Sequence, residues 1–492
     1  MFSAENETVN KNTFLTMEAQ NEKLPTYEEA KDKLPRPIWD THPEMIKCYD
    51  KAWKLAFGNL RAANDEARFV SNFIDTAFNG YLFMWDSSFI LMFGKYGSRA
   101  FNFQRTLDNF YSHQHIDGFI CREIDERDGS EQFSRDDPAS TGPNVMPWAE
   151  WEYFKSTNDT ERLSRVFDPL CAYHKWLQLN RSWPDGSYWS CGLACGMDNQ
   201  PRQQPGYHEL VSHGFMSWID ACAQQYLSAE ILIEMAKILG REDEAEWLRD
   251  EHKMLAATIN NKMWSEDDAF YYDTLRDGKT TGVKSVGAYW TLLAGLVPEE
   301  RRERFIAHLD NEKEFKRPTR VPALSADAVG YKGETGGYWK GGVWAPTNYM
   351  VLSGLGKYGY NKLAYEIACD YLNTVEKVFT ETDTLWENYS PEFAAHGNAK
   401  DDFVGWTGLA PISILFEYVF GIIPDAMGKK ITWNINCTDR HGITNYPLGD
   451  ATVELICESR SSADEKPVVH IKSDRPITVE IVWNGTHETI NV

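Results

Sequence analysis

A chain of 492 residues, 42% of them hydrophobic, is long enough to fill a sizeable core and to form two domains. Its formal net charge of -23, from 73 acidic and 50 basic residues, repels phosphate backbones and anionic membrane surfaces, so neither nucleic acid nor a membrane is expected as a partner. The nine cysteines are scattered without a CxxC pair, which argues against a zinc site and against a disulfide framework.

The N-terminus, MFSAENETVNKNTF, has neither the basic start nor the apolar centre of a signal peptide. No uninterrupted apolar stretch approaches the roughly 18 residues of a membrane-spanning helix. As written, the sequence therefore predicts a cytoplasmic protein. Residues 1–40 are polar and punctuated by proline, which is typical of an N-terminal arm rather than a core element.

Helix signals dominate from about residue 41. Residues 285–310 read as two helices around a short turn at Pro298, and another helix is predicted over 361–378. The clearest helix, over 241–263, repeats one face at three-to-four spacing: Ala245, Leu248, His252, Leu255, Ile259 and Met263. Paired helices separated by long aromatic, glycine-rich loops predict an array of helical hairpins.

Past about residue 427 the pattern changes to short runs of alternating apolar and polar residues. The runs are KITWNI, ATVELIC, PVVHIKS and ITVEIVW. This period of two predicts strands, and strands so short need a partner sheet. We therefore expect an N-terminal arm over 1–40, a helical domain over 41–426, and a small C-terminal β-sandwich over 427–492.

Aromatic residues are unusually frequent, with 18 Trp, 23 Tyr and 25 Phe making up 13% of the chain. Planar rings pack against the apolar C–H faces of sugars, which favours carbohydrate handling, whereas a large helical core is the plainer explanation. Five tryptophans lie in loops rather than on periodic helix faces: Trp85, Trp339, Trp344, Trp386 and Trp406. Their placement indicates a ring of aromatics around a pocket, with a packed hydrophobic hub as the alternative.

Five polar loops on this helical scaffold are candidates for function, since loops on a rigid scaffold often carry it. They are YLFMWDSSF, QHIDGFICRE, CGMDNQPR, GGYWKGGVWAPTNY and LWENYSPE.

Carboxylates in these loops suit the hydrolysis of a glycosidic bond, which needs one protonated acid and one ionised carboxylate. Asp198 and Glu387 are the best-placed pair. Taken alone, Asp198 also fits an Asx-turn or helix cap, and Glu387 also fits a surface residue with a covered stem. Asp86 follows an apolar run, where a charge needs a partner, and it also fits a helix start. For Arg122 and Arg202, structural ion pairing is as good an explanation as a functional role.

The loops resemble those of the inverting glycoside hydrolases of family 63 and of their relatives, the family 37 trehalases. The resemblance covers residues 80–420 and consists of motif regions that occur in the family's order. The motifs are WDSSF, QHIDGFICRE, GMDNQPR, YWKGGVWAPTNY, and ENYSPE followed by FVGWTGLAPI.

This resemblance implies a six-hairpin α/α toroid with the site at one end. It also implies that Asp198 is the general acid and Glu387 the base, that the partner is a small carbohydrate, and that no cofactor or metal is needed. By the same resemblance, the substrate-binding residues are Trp85, Asp86, Gln114, Asp117, Arg122, Asn199, Arg202, Tyr338, Trp339, Lys340, Trp344, Trp386, Tyr389 and Trp406.

Departures from the family pattern affect specificity. Ala194 and Cys195 replace the usual Glu-Ser, Cys121 replaces a proline, and Lys340 replaces an arginine that could bind in a bidentate manner. The leading hypothesis is an exo-acting inverting α-glucosidase that acts on a disaccharide, short oligosaccharide or small glucoside. The alternatives are a trehalase, a glucosylglycerate or mannosylglycerate hydrolase, a phosphorylase or lyase on the same fold, and a non-catalytic glycan-binding toroid.

Overall fold

The computed structural model of the protein describes residues 4–76 and 79–492. It is mostly helical, with a strand-rich C-terminal region. The α-helices are α1 (Tyr27–Ala30), α2 (Pro43–Gly58), α3 (Met84–Gly94), α4 (Asp108–Tyr111), α5 (Met146–Thr157), α6 (Thr160–Asn180), α7 (Ile219–Leu239), α8 (Glu246–Lys262), α9 (Trp290–Leu293), α10 (Glu299–Ile306), α11 (Ala345–Lys357) and α12 (Asn361–Thr382). Across the described residues, none of the helices is long and apolar enough to cross a membrane.

Shorter helical segments and strands complete the chain. The 3-10 segments are Glu7–Lys11, Thr13–Thr16, Lys31–Lys33, Lys95–Gly97, Phe103–Leu107, Pro138–Ser140, Leu193–Cys195, Glu242–Ala245, Val286–Tyr289, Ala307–Asp310 and Trp406–Leu409, and Ala410–Val419 is π-helical. The strands are β1 (Arg36–Trp39), β2 (Leu60–Arg61), β3 (Phe73–Ile74), β4 (Tyr81–Phe83), β5 (Glu123–Asp125), β6 (Trp264–Ser265), β7 (Phe270–Tyr271), β8 (Ile422–Asp425), β9 (Lys430–Asn434), β10 (His441–Leu448), β11 (Ala451–Cys457), β12 (Val469–Ser473), β13 (Thr478–Trp483) and β14 (Thr486–Asn491).

The predicted helices are present. The 241–263 pattern forms a 3-10 turn followed by α8, and its apolar face is buried except for His252, which is half-buried against Tyr226. The helix-turn-helix pattern around Pro298 forms α9 and α10, and the 361–378 pattern forms α12. Amphipathic periodicity predicts α8, α10 and α12 well because each buries only one stripe, whereas all four residues of α9 are buried.

One set of helices forms a closed ring, in which each helix contacts the next. α3 contacts α5, α5 contacts α7, α7 contacts α9, and α9 contacts α11. The Trp406–Leu409 turn then contacts both α11 and α3. Every residue of α3 is buried, as expected for a helix enclosed on all sides. By contrast, the amphipathic α8 and α12 pack one face inward.

Two four-stranded sheets form the strand-rich region, in the orders β1-β10-β11-β12 and β14-β13-β9-β8. Burial alternates along β11, which is why its period-two pattern is readable in the sequence. All four predicted strand runs are present, as β9, β11, β12 and β13. Two strands outside 427–492 also join these sheets: β8 pairs with β9, and β1 pairs antiparallel with β10.

Candidate active site

Asp86 lies where a short strand leads directly into a helix. Strand β4 pairs with β5, with Phe83 opposite Glu123, and the backbone N–H of Met84 donates to the carbonyl of Arg122 at 2.9 Å. Asp86 occupies the first turn of α3 and is buried; Phe83, not Asp86, is the N-cap. The paired strands therefore place Asp86 near Glu123, whose charge raises the pKa of Asp86.

Arg122 is fixed by several contacts. Its Nε donates to the carbonyl of Ala139 at 2.6 Å, its guanidinium lies 4.7 Å from the ring of Phe133, and it pairs with Glu123 at 2.5 Å. Its backbone N–H donates to the carbonyl of Ser140. The charge of Arg122 is thus opposed by its own neighbour in the sequence.

Asp198 belongs to a loop that we call the Asp198 loop, residues 195–202. Gly196 adopts φ +75°, and a Cβ there would lie 2.8 Å from the ring of Trp85, so the loop packs closely on that indole. Asn199 accepts from the backbone N–H of Trp339 at 2.9 Å and donates to the carbonyl of Gly337 at 3.1 Å. These bonds tie the loop to residues 336–344, the Tyr338 loop.

Arg202 anchors the Asp198 loop through buried ion pairs. Its guanidinium makes two hydrogen bonds to Asp220 and two to Asp273, and it lies 4.3 Å from the ring of Trp218. Only 2% of Arg202 is exposed. This is the ion-paired arrangement that the sequence left open for this residue.

Glu387 is held by a neighbouring segment. Its backbone N–H donates to the carbonyl of Lys400 at 2.8 Å, and the backbone N–H of Lys400 donates to Oε2 of Glu387 at 3.2 Å. The indole N–H of Trp406 donates to the carbonyl of Glu387 at 3.0 Å. Since Glu387 is 7% exposed, the interpretation of it as a surface residue is wrong.

The Tyr338 loop contributes a hydroxyl and stacked rings. Tyr338, at φ +67°, lies near the Glu387 carboxylate, and its hydroxyl lowers the pKa of that group. Trp339 and Trp344 stack with centroids 3.9 Å apart and an angle of 7°, and Trp344 meets Trp406 edge-on at 5.7 Å. These three indoles are buried and pack on one another.

The carboxyl groups that meet here influence one another's protonation. Burial is the largest cause that raises the pKa of Asp198 to about 6; nearby Arg122 lowers this pKa and Glu123 raises it. Burial also raises the pKa of Glu387 to about 6, opposed by the Lys400 backbone bond and the Tyr338 hydroxyl, and reinforced by Asp198. Burial, followed by the charge of Glu387, raises the pKa of Asp86 well above its usual value.

Several residues from the sequence hypothesis have their observed contacts elsewhere. Gln114 hydrogen-bonds to Asn12 and to backbone carbonyls, and Asp117 binds Arg135 and the indole N–H of Trp176. Trp386 stacks on His396 at 3.7 Å. Buried Tyr389 accepts from the backbone N–H of Trp386, and Lys340 pairs with Glu209.

Sequence reasoning missed residues that shape the site. Glu123 follows Arg122 in the QHIDGFICRE loop, so the signal was available, but a charge next to a charge gave no reason to select it. Asp220 and Asp273, which hold Arg202, lie 18 and 71 residues beyond it in the sequence. No local pattern connects them.

The family model for the mannosylglycerate hydrolase MGH1-like glycoside hydrolase domain matches residues 80–407. The chain belongs to this family. The matched span contains Asp86, Asp198 and Glu387, and the resemblance to glycoside hydrolase family 63 is confirmed. The protein is therefore a glycoside hydrolase that acts on O-glycosyl bonds.

Individual relatives of the protein are distant in sequence. An uncharacterized protein of Borreliella burgdorferi is 26% identical over 391 residues, covering 75% of this chain and 78% of that protein. A probable mannosyl-oligosaccharide glucosidase of Schizosaccharomyces pombe is 27% identical over 60% of this chain, but only 36% of its own length is covered. The GH63 mannosylglycerate hydrolase of Thermus thermophilus, solved with glucose, superposes with a TM-score of 0.61 and 19% identity over 74% of this chain and 99% of its own, which shows a shared fold.

Proposed function

We propose that the protein is an exo-acting inverting α-glycosidase, with Asp198 as general acid and Glu387 as general base. One observation carries the proposal: two carboxyl groups on different loops meet in one buried region. There the charge of Glu123 raises the pKa of Asp198, and the charge of Asp198 raises the pKa of Glu387. Inverting hydrolysis needs such a pair, separated by about 6.5–9.5 Å so that a water fits beside the sugar.

The surroundings favour a protonated Asp198 together with an ionised Glu387. Ionised Glu387 accepts from the Lys400 backbone N–H, and the Tyr338 hydroxyl also lowers the pKa of Glu387, so both groups stabilise the charged form. The cation that lowers the pKa of Asp198 is Arg122, whose charge is offset by Glu123 at 2.5 Å. A protonated acid and an ionised base at the same pH are what the reaction requires.

In the proposed reaction, Asp198 donates its proton to the glycosidic oxygen while the bond from that oxygen to the anomeric carbon breaks. Glu387 accepts a proton from a water molecule, whose oxygen bonds to the opposite face of that carbon. The leaving alcohol departs neutral, and the sugar is released with inverted configuration. The proton then returns from Glu387 to Asp198 through solvent, which restores the starting state.

The remaining parts of the proposal concern sugar binding and architecture. Asp86 would hydrogen-bond to sugar hydroxyls, and Trp85 would line the sugar-binding site. The returning contacts of α3, α5, α7, α9 and α11 support a six-hairpin toroid over 41–426. The two four-stranded sheets support a β-sandwich in the C-terminal region.

The sugar and leaving group are part of the same proposal. An α-glucosidase acting on a disaccharide or small glucoside is our leading assignment, with trehalose hydrolysis as a close variant. The family's description and the Thermus thermophilus relative favour mannosylglycerate or glucosylglycerate as the second candidate.

Proton NMR of the reaction mixture tests this proposal. The wild-type protein is incubated with α-linked glucosides, trehalose, mannosides and galactosides, beside Asp198→Asn, Glu387→Gln and a matched control, Asp277→Asn, in an exposed turn. We expect the β-anomer to appear first, to vanish in both site variants, and to persist in the control. Early α-anomer, or turnover that survives either site substitution, would overturn the assignment.

A further inference from the structure

The candidate acid lies in a turn that Gln200 closes. The backbone N–H of Gln200 donates to the carbonyl of Met197 at 3.1 Å, so Asp198 and Asn199 occupy the two middle positions of the turn. The carbonyl of Gln200 accepts from the backbone N–H of Arg202 at 2.8 Å. Any displacement of Gln200 therefore moves the backbone that carries Asp198.

The side chain of Gln200 is buried and uses both ends of its amide. Only 3% of the residue is exposed. Its Nε2 donates to the carbonyl of Ala323 at 2.6 Å, and its Oε1 accepts from the hydroxyl of Ser285 at 2.7 Å. A carbonyl can only accept, so these partners fix which way round the amide lies. They are 123 and 85 positions away in the sequence, and the amide therefore ties the turn to distant parts of the chain.

Ser285 and Ala323 are themselves held in place. The backbone N–H of Val286 donates to the carbonyl of Ala323 at 3.0 Å. The hydroxyl oxygen of Ser285 accepts from the backbone N–H of Gly287 at 3.0 Å, as the cap of the 3-10 segment that follows. The side chain of Met197 packs on the same segment, since a Cβ built on Gly287 would lie 3.0 Å from its Cε. The amide thus meets partners whose positions are fixed by other bonds.

Backbone hydrogen bonds continue from Ala323 to the segment that carries the candidate base. The backbone N–H of Ala323 donates to the carbonyl of Gly342 at 2.9 Å. The next residue, Val343, exchanges two backbone hydrogen bonds with Tyr389, at 2.9 and 3.0 Å. Tyr389 follows Glu387 by two positions. Through this series of bonds, the amide links the turn of the acid to the segment of the base.

Such a link controls the position of the acid. A general acid must lie within hydrogen-bond reach of the oxygen that it protonates, and a displacement of about 1 Å can cost roughly a hundredfold in rate. Asn199 joins the turn to the Tyr338 loop, and Arg202 holds the end of the Asp198 loop. Gln200, between them, reaches the backbone series that continues to the base.

We infer that Gln200 is a positioning residue for general-acid catalysis, whose amide holds Asp198 where its proton can reach the glycosidic oxygen. The inference rests on the proposed function, because it uses Asp198 as the acid. Loss of the two amide bonds should impair the departure of leaving groups that need a proton and spare those that depart without one. A glutamine that served stability only would not distinguish the two kinds of leaving group.

Two substrates with the same sugar and different leaving groups test this inference. One is the glycoside identified by NMR, which releases an alcohol, and the other is the α-glycosyl fluoride of the same sugar. With the fluoride, a water oxygen bonds to the anomeric carbon while the C–F bond breaks. The fluoride ion departs with the bonding electrons and without a proton, and Glu387 accepts the proton of the water.

Gln200→Met keeps a side chain of similar length and can make neither amide bond. We expect it to lose roughly ten- to a hundredfold in kcat on the glycoside, with little change in KM, and less than about threefold on the fluoride. Ser285→Ala removes one of the two partners and should separate the substrates in the same direction. Ser285→Thr keeps the hydroxyl and should restore the behaviour of the wild type. If either Gln200→Met or Ser285→Ala fails to fold, the other supplies the measurement.

A matched variant separates positioning from stability. Gln225, on α7 and 1% exposed, makes the same kinds of bond: its Nε2 donates to the carbonyl of His174, and its Oε1 accepts from Nδ2 of Asn144. Gln225→Met should lower the stability of the protein without separating the two substrates.

Asp198→Asn distinguishes failure of the inference from failure of the proposed function. It should lose far more activity on the glycoside than on the fluoride, and equal losses, or none, would overturn the proposed function. If Asp198→Asn separates the substrates, whereas Gln200→Met and Ser285→Ala lose equally on both or lose nothing, the inference is overturned.

Discussion

The side-chain oxygen of Asn199 accepts a hydrogen bond from the backbone N–H of Trp339 at 2.9 Å. This bond joins the Asp198 loop to the Tyr338 loop, which lies beside Glu387. Its amide nitrogen also donates to the carbonyl of Gly337. Tyr338, between these two contacts, carries a hydroxyl that lowers the pKa of Glu387. The side chain of Asn199 therefore helps to set the separation of Asp198 and Glu387.

Replacing Asn199 with alanine should lower kcat more than it changes KM. The substitution leaves the backbone N–H of Trp339 and the carbonyl of Gly337 without this partner, which costs about 1–3 kcal/mol of positioning, or roughly ten- to a hundredfold in kcat. Steady-state kinetics on the substrate found by NMR measures this loss. Asn10→Ala, at an exposed N-terminal position, is the control. An unchanged kcat in Asn199→Ala would show that the two loops are held by other contacts.

Tyr338→Phe should shift the acidic limb of the pH–rate profile to higher pH. The hydroxyl stabilises ionised Glu387 and lowers its pKa, so removing it raises that pKa. Because the base must be ionised, activity is then lost at a higher pH as the solution is acidified, by about one unit. Tyr27→Phe, which removes a 2.8 Å hydrogen bond to Asp50 elsewhere, should not move the limb. A shift in the other direction would contradict the role of Tyr338.

Arg122→Met should extend the alkaline limb to higher pH while reducing kcat/KM. Arg122 lowers the pKa of Asp198, and its removal also leaves the charge of Glu123 unopposed, so the pKa of Asp198 rises. The acid then keeps its proton to higher pH. Arg249→Met, on the surface of α8, is the matched control. An alkaline limb that stays in place or moves down would show that Asp198 is not the group that titrates there.

Arg202→Met should destabilise the protein by about 3–5 kcal/mol, because it leaves two buried carboxylates, Asp220 and Asp273, without their cation. Arg304→Met breaks an exposed ion pair with Glu266 and should cost less than about 1 kcal/mol. Denaturant unfolding followed by tryptophan fluorescence compares the two. Equal losses would mean that Arg202 is not an anchor of the Asp198 loop.

The sequence predicts this protein best where the information is local. The helix α8 and the strand β11 follow from their periodicities, and the family follows from short motifs in order. Contacts between distant residues were not predictable in this way. Nothing near Arg202 indicates Asp273 as its partner, and nothing near Lys340 indicates Glu209. Trp386 resembled a pocket residue by its neighbours, yet it stacks on His396, which belongs to the facing segment of the same loop region.

The pairing of β1 with β10 has a consequence for synthesis on the ribosome. Arg36 aligns with Thr444, so an early strand completes a sheet whose other strands emerge only after the whole helical region. Until then β1 presents an open edge of backbone N–H and C=O groups. Such a late, long-range pairing slows folding and exposes the nascent chain to aggregation. Chains truncated before His441 should therefore be the most dependent on chaperones.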